Sequence, residues 1–162
     1  MVKNSFEITV PVLNEERILD RNIKILHQYL TDNFLSYSWN IIIADNGSTD
    51  STENIGMSLT NYSDLIKYIR IEERGVGGAL KNSWAQSNAY IIGFLDLDLA
   101  VDLKYIEKAI TAIHLADHDM VYGTRLHQDA NVISRSLKRE ITSRLFNSIL
   151  KKYLGTKISD GM

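Results

Sequence analysis

The sequence contains no cysteine and a single proline, Pro11, in 162 residues. The missing thiols exclude a disulfide scaffold, a zinc ribbon, covalent haem attachment and a cysteine nucleophile. No apolar run approaches the roughly 18–20 residues that cross a bilayer. The stretch Met1 to Phe6 lacks the apolar core of a signal peptide, so the default location is cytoplasmic. A net charge of −2 offers no general attraction to nucleic acid. What remains is 44% hydrophobic and 23% charged, enough apolar material for a packed core and too much for intrinsic disorder. The length fits one domain spanning residues 1–162.

Charge is unevenly spread. Met120 to Lys157 carries eight Lys/Arg against Asp129 and Glu140, while the rest of the chain has ten basic and eighteen acidic side chains. That contrast suggests either an anionic partner met at one place or a solvated basic helix face.

Short apolar runs alternate with helical periodicity. Phe6–Val12 predicts a strand, and Leu19, Ile23, Leu26 and Leu30 then recur at helical spacing. Trp39–Ala44 reads as a strand buried on both faces, followed by a turn over Asp45–Asp50 and a helix from about Asp50 or Ser51. Ile66–Ile71 predicts a third strand, Gly78–Gln86 a short helix and Tyr90–Leu95 a fourth strand. Asp102 is placed to cap a helix bearing Ile106, Ile110 and Ile113. Met120–Gly123 predicts a short fifth strand, and a last helix is expected from about Ser134 to Tyr153. Pro11 marks the exit of the first strand or a bend in it. The fold class is therefore α/β, with a mostly parallel sheet flanked by helices. Ligands of such sheets gather outside the carboxyl ends of the strands.

Three of those ends carry acids: Asn14-Glu15-Glu16 after the first strand, Asp45 to Asp50 after the second, and Asp96-Leu97-Asp98 after the fourth. Clustered carboxylates repel unless a cation or bound hydroxyls compensate them. For Asp50 an ordinary helix cap is the preferred reading. For Asp96 the preceding apolar run places the carboxylate near the core. If the strand continues, residues two apart point the same way, so Asp96 and Asp98 face one site. Such a pair suits Mg²⁺ or Mn²⁺, which bind through one or two carboxylates plus substrate phosphates. The turn Arg74-Gly75-Val76-Gly77-Gly78 is either a packing turn or a phosphate contact, and is neither a dinucleotide fingerprint nor a P-loop. His114 and His118 lack the Glu of a metalloprotease helix, and no Gly-x-Ser-x-Gly elbow is present.

Val10-Pro11-Val12-Leu13-Asn14-Glu15-Glu16, Ile41 to Asp50 and Asp96-Leu97-Asp98, in this order, resemble family 2 glycosyltransferases of the GT-A (Rossmann-like) fold. Gly123-Thr124-Arg125 and Arg139 to Arg144 are similar to the dolichyl-phosphate mannose synthase and polyprenyl-phosphate glucosyltransferase branch. The resemblance implies an inverting enzyme that moves a hexose from GDP-mannose or UDP-glucose to a polyprenyl or dolichyl phosphate at a cytoplasmic membrane face. It implies that Pro11, Leu13, Glu15 and Asp45 line the nucleotide pocket. Asp96 would face the sugar donor, with Asp98 and Asp96 at the Mg²⁺ or Mn²⁺ site. Arg125, Arg139 and Ser143 would hold acceptor and donor phosphates, so Asp96, Asp98, Arg125 and Arg139 form the expected catalytic set. Asn46 stands where relatives carry a second Asp, and Ala100 where some mannose synthases have a metal-ligating Gln. The end at Ser159-Asp160-Gly161-Met162 reads as a catalytic domain lacking its C-terminal part and any membrane region. Three rival readings are a glycosyltransferase with a saccharide acceptor, a sugar-phosphate nucleotidyltransferase and a non-catalytic nucleotide-binding module. The nucleotidyltransferase is disfavoured because Leu13-Asn14-Glu15-Glu16 replaces its Gly-rich basic loop.

Overall fold

The computed structural model describes residues 4–72, 75–115 and 118–123. The elements run β1 (Ser5–Val12), α1 (Leu19–Asn33), β2 (Ser38–Asp45), α2 (Thr52–Tyr62), β3 (Ile66–Arg70), α3 (Val76–Ala85), β4 (Ile91–Phe94) and α4 (Lys104–Leu115). By its contacts the chain divides into two units, Met1–Ile110 and Thr111–Met162, and the sheet lies in the first.

All strand pairs are parallel, in the order β3-β2-β1-β4. The chain steps outwards from β1 to β3, then crosses back to place β4 on the other side of β1. The junction of β1 and β4 is therefore the topological switch point.

The two faces of the sheet can be read from β1. Phe6 meets Phe34 beyond α1, ring centroids 5.1 Å apart, whereas Thr9 on the opposite face bonds Ser83 of α3 at 2.9 Å. Leu19, Ile23, Leu26 and Leu30 form the buried stripe of α1, as their spacing predicts. Ile41 to Asp45 are all buried, the pattern of a strand covered on both faces.

Pro11 lies inside β1, in register with Ala44 of β2. Thr9 O accepts Leu95 N at 3.0 Å on the β4 side, and Val12 O accepts Asn46 N at 2.9 Å on the β2 side. Residues of a parallel strand alternate between neighbours, so the Pro11 nitrogen points towards β4. It has no hydrogen to donate there, and β1–β4 pairing stops at Thr9 with Phe94. One proline thus ends that ladder and releases Asp96-Leu97-Asp98 from the sheet.

Two expectations need correction. Met120–Gly123 forms no strand, and the sheet has four strands among the described residues. Met120, Val121 and Tyr122 are exposed, and three apolar residues signal a strand only where a sheet edge receives them. The chain also leaves β4 at Phe94, earlier than the apolar run suggests, and turns at Asp96, whose carbonyl accepts Leu99 N at 3.2 Å. The helix expected from Ser134 to Tyr153 lies outside the described residues.

Candidate functional site

The exits of β1 and β2 are clasped by side chains bonding across to backbone. Asn14 N donates to Ser48 Oγ at 2.9 Å, and Thr49 N donates back to Asn14 Oδ1 at 2.8 Å. Glu15 N donates to Thr52 Oγ1 at 2.8 Å. Glu16 N donates to Asp50 Oδ2 at 3.2 Å, and Ser51 N donates to Glu16 Oε2 at 3.0 Å. Burial alone raises the Asp50 carboxyl, but bonds from Thr52 and the Glu16 N–H outweigh it and hold the group below its ordinary value. Asp50 also accepts Thr52 N at 3.0 Å and is a turn residue, while Ser51 holds the N-cap position of α2.

The clasp consumes Asn14, Glu16, Ser48, Thr49, Asp50 and Thr52. It leaves the Glu15 carboxylate without a hydrogen-bond partner among the described residues, and Leu13 is 42% exposed beside it. Pro11 sits two positions back on the same strand, half-buried.

Asp45 is expected to touch a nucleoside, yet it is 0% exposed and its carboxylate is engaged within the protein. Oδ1 accepts Ser48 N at 2.8 Å across the tight turn that Gly47 makes with φ 75°. Oδ2 accepts the Tyr68 hydroxyl at 2.5 Å and lies 3.5 Å from Arg70 Nη1. Arg70 also donates to Glu53 and to the Ser48 carbonyl, at 2.8 and 3.1 Å. Burial, then the Asp45 bond and charge, push the Tyr68 phenol well above its ordinary range. Next to Asp45, Asn46 is 3% exposed, and its Oδ1 is buried without a partner among the described residues.

Asp96 and Asp98 do not share an extended strand. They flank Leu97, 5% exposed, within a turn, and both are exposed. The alternation argument therefore fails, and Asp96 is not near the core. Burial of Leu97 turns both carboxylates outwards instead. Ala100 N donates to Asp98 Oδ1 at 3.0 Å, leaving Asp98 Oδ2 and both Asp96 oxygens free among the described residues. Asn22 of α1 donates from Nδ2 to the Leu97 carbonyl at 3.0 Å. Asn22, Tyr68 and Arg70 carry no sequence signal: each reads as an ordinary polar position on its own helix or strand.

Parallel strands bring the exits of β2, β1 and β4 to one edge, the outer two roughly 10 Å apart at the usual strand spacing. No three His, Asp or Glu side chains converge among the described residues. Two outward carboxylates still fit a hard divalent cation that draws its other ligands from a diphosphate and water. Arg125, Arg139 and Ser143 lie outside the described residues.

By topology this is an α/β protein with a parallel sheet, and its acidic strand exits flank the switch point. The chain belongs to glycosyl transferase family 2, whose family model matches residues 7–162. Glycosyltransferase AglD of Haloferax volcanii is 25% identical over 154 residues, 94% of this chain and 24% of that protein. Dolichyl-phosphate beta-glucosyltransferase of Dictyostelium discoideum is 32% identical over 149 residues, 83% of this chain and 44% of the relative. The fold is GT-A-like: glucosyl-3-phosphoglycerate synthase from Mycobacterium tuberculosis, crystallised with UDP, superposes with a TM-score of 0.62 at 20% identity, covering 96% of this chain and 53% of that one. The chain spans between 24% and 62% of the length of four curated relatives that it matches. Among the described residues no helix is long and apolar enough to cross a membrane.

Proposed function

We propose that this chain is the nucleotide-sugar-binding domain of an inverting glycosyltransferase that moves a hexose from GDP-mannose or UDP-glucose to a polyprenyl or dolichyl phosphate. The observation that carries the reading is that the Glu15 carboxylate and the outward Asp96 and Asp98 pair, free among the described residues apart from the Ala100 bond to Asp98, stand on the neighbouring exits of β1 and β4 in a family 2 chain. The acceptor rests on the likeness to a dolichyl-phosphate glucosyltransferase.

In this reading Pro11 and Leu13 form the apolar side of the nucleoside site, and Glu15 accepts from ribose or base. Asp45 serves the nucleoside through the loop it fixes. Asp96 and Asp98 would hold Mg²⁺ or Mn²⁺, which when bound would supply charge neutralisation to the leaving diphosphate. The Mycobacterium synthase has been crystallised with Mn²⁺ and UDP-glucose.

An acceptor phosphate oxygen attacks the anomeric carbon from the face opposite the diphosphate. The carbon–oxygen bond to the donor breaks, and its electron pair leaves with the nucleoside diphosphate. A phosphate is already ionised near neutral pH, so no strong general base is needed. Arg125, Arg139 and Ser143 are proposed to bind its oxygens and those of the donor. The membrane face enters with the lipid acceptor.

UDP and GDP titrations with and without Mn²⁺ test the donor site. Asp98→Ala should abolish the Mn²⁺-dependent gain in affinity; a gain equal to wild type would show that Asp98 is not a metal ligand. Transfer to polyprenyl phosphate or to a saccharide, assayed on the complete protein, decides the acceptor.

A further inference from the structure

We propose that Asn22 is a positioning residue for the acidic turn, holding Asp96 and Asp98 where a metal–diphosphate can engage both; this rests on the donor site proposed above. The turn has little else to fix it. Pairing with β1 ends at Leu95 N, because Pro11 has no hydrogen to continue the ladder. Within the turn, Leu99 N reaches Asp96 O at 3.2 Å, and Leu99 itself adopts the left-handed region at φ 51°. A leucine relaxes from that region unless its surroundings hold it there.

Two contacts do so: the buried Leu97 side chain and the 3.0 Å bond from Asn22 Nδ2 to the Leu97 carbonyl. Among the described residues this is the one hydrogen bond reaching the backbone of residues 96–99 from outside the turn. Asn22 is itself fixed, since its backbone N–H closes the first turn of α1 on Ile18 O at 2.9 Å. That turn begins directly after the clasped β1 exit, where Leu19 N bonds Glu15 O at 3.0 Å. Asn22 therefore joins the Glu15 side of the site to the Asp96–Asp98 side, across the switch point.

A binding experiment on the full chain separates positioning from folding. UDP and GDP are titrated, with and without Mn²⁺, into wild type, Asn22→Ala, Asn22→Leu and Asp98→Ala. Both Asn22 variants remove the donor without adding charge, and Asn22→Leu keeps most of the volume. The expected result is a Mn²⁺-dependent gain in affinity reduced about tenfold in both, the equivalent of about 1.4 kcal/mol. Metal-free affinity and the thermal midpoint should stay close to wild type. An undiminished Mn²⁺ gain in the Asn22 variants, with that gain lost in Asp98→Ala, would overturn the role of Asn22 and leave the donor site standing. Equal losses with and without Mn²⁺ would also overturn it, because they mark general damage. A gain that survives Asp98→Ala would remove the donor-site reading itself.

Discussion

Asn14 Oδ1 accepts the backbone N–H of Thr49 at 2.8 Å while Asn14 holds a left-handed backbone at φ 56°. Both facts favour asparagine, which tolerates that region better than most residues and carries a short acceptor. The bond ties the β1 exit to the β2 exit and so shapes the loop that carries Glu15. Asn14→Gly keeps the backbone conformation and removes the amide. It should lower stability by about 1 kcal/mol in urea unfolding and weaken nucleoside diphosphate binding through a loosened loop. Asn14→Val should cost more, because a β-branched residue resists positive φ. Equal stability of the two variants would show that the hydrogen bond, and not the backbone, sets the cost.

Most of the fold was legible because it rests on periodicity. The α1 stripe from Leu19 to Leu30, the β-branched run of β2 and the Asp102 turn, whose carboxylate accepts Lys104 N at 3.0 Å, follow from local pattern. The acidic strand exits were legible as positions along one sheet edge, and the contacts of their individual side chains less so. Asn14 and Glu16 stand in an acidic strand exit that looks like chemistry in the sequence, yet they serve here, with Asp50, to bind two loops together. Asp45 reads as a ligand contact because its burial depends on Tyr68 and Arg70, more than twenty residues away. The geometry of Asp96 and Asp98 was illegible for a similar reason. Where β4 ends is decided by Pro11 on another strand, and where the turn sits depends on Asn22.

Gly56 of α2 lies against the Tyr68 ring so closely that a Cβ there would overlap Cδ2 and Cε2. Replacing a helical glycine with alanine ordinarily stabilises by about 1 kcal/mol. Here the overlap must displace the ring or the helix, at a cost of roughly 1–3 kcal/mol. Displacing the ring also breaks its bond to Asp45, leaving a buried carboxylate short of a donor. Gly56→Ala should therefore destabilise the protein, and Tyr68→Phe should do so by about 1.5–3 kcal/mol. A denaturant midpoint for Gly56→Ala at or above wild type would mean that Tyr68 moves freely.

The Thr9 and Ser83 hydroxyls meet at 2.9 Å between β1 and α3, both buried. Thr9→Val conserves shape but strands the Ser83 hydroxyl, at a cost of about 1–3 kcal/mol. Pairing it with Ser83→Ala removes both polar groups from the interface, so the double variant should be less destabilised than the two single losses predict. A coupling energy of about 0.5–3 kcal/mol is expected from the four-membered cycle in urea unfolding. Strict additivity would show that the two hydroxyls do not depend on each other.

His27 gives the fold a pH dependence of determinate sign. Its ring sits between Trp39 of β2 and Tyr62 of α2, each centroid 5.5 Å away, with Nε2 3.0 Å from Ser63 Oγ. Among the described residues Nδ1 is buried without a partner, and the Lys24 ammonium lies 5.3 Å from the Tyr62 ring centroid. Burial lowers the His27 pKa from its ordinary 6.5, so the folded protein keeps the imidazole neutral where the unfolded chain already protonates it. Between those two values the unfolded state binds more protons, and stability rises with pH. The contribution is thus complete above about pH 6.5, falls as the solution is acidified towards the folded pKa, and levels off below it. Urea unfolding at pH 7.5, 6.5 and 5.5 should show this decline in wild type beyond that in His27→Gln, which retains the acid titration of the other groups. Parallel pH profiles for the two proteins would mean that His27 takes up a proton in the fold as readily as in the unfolded chain.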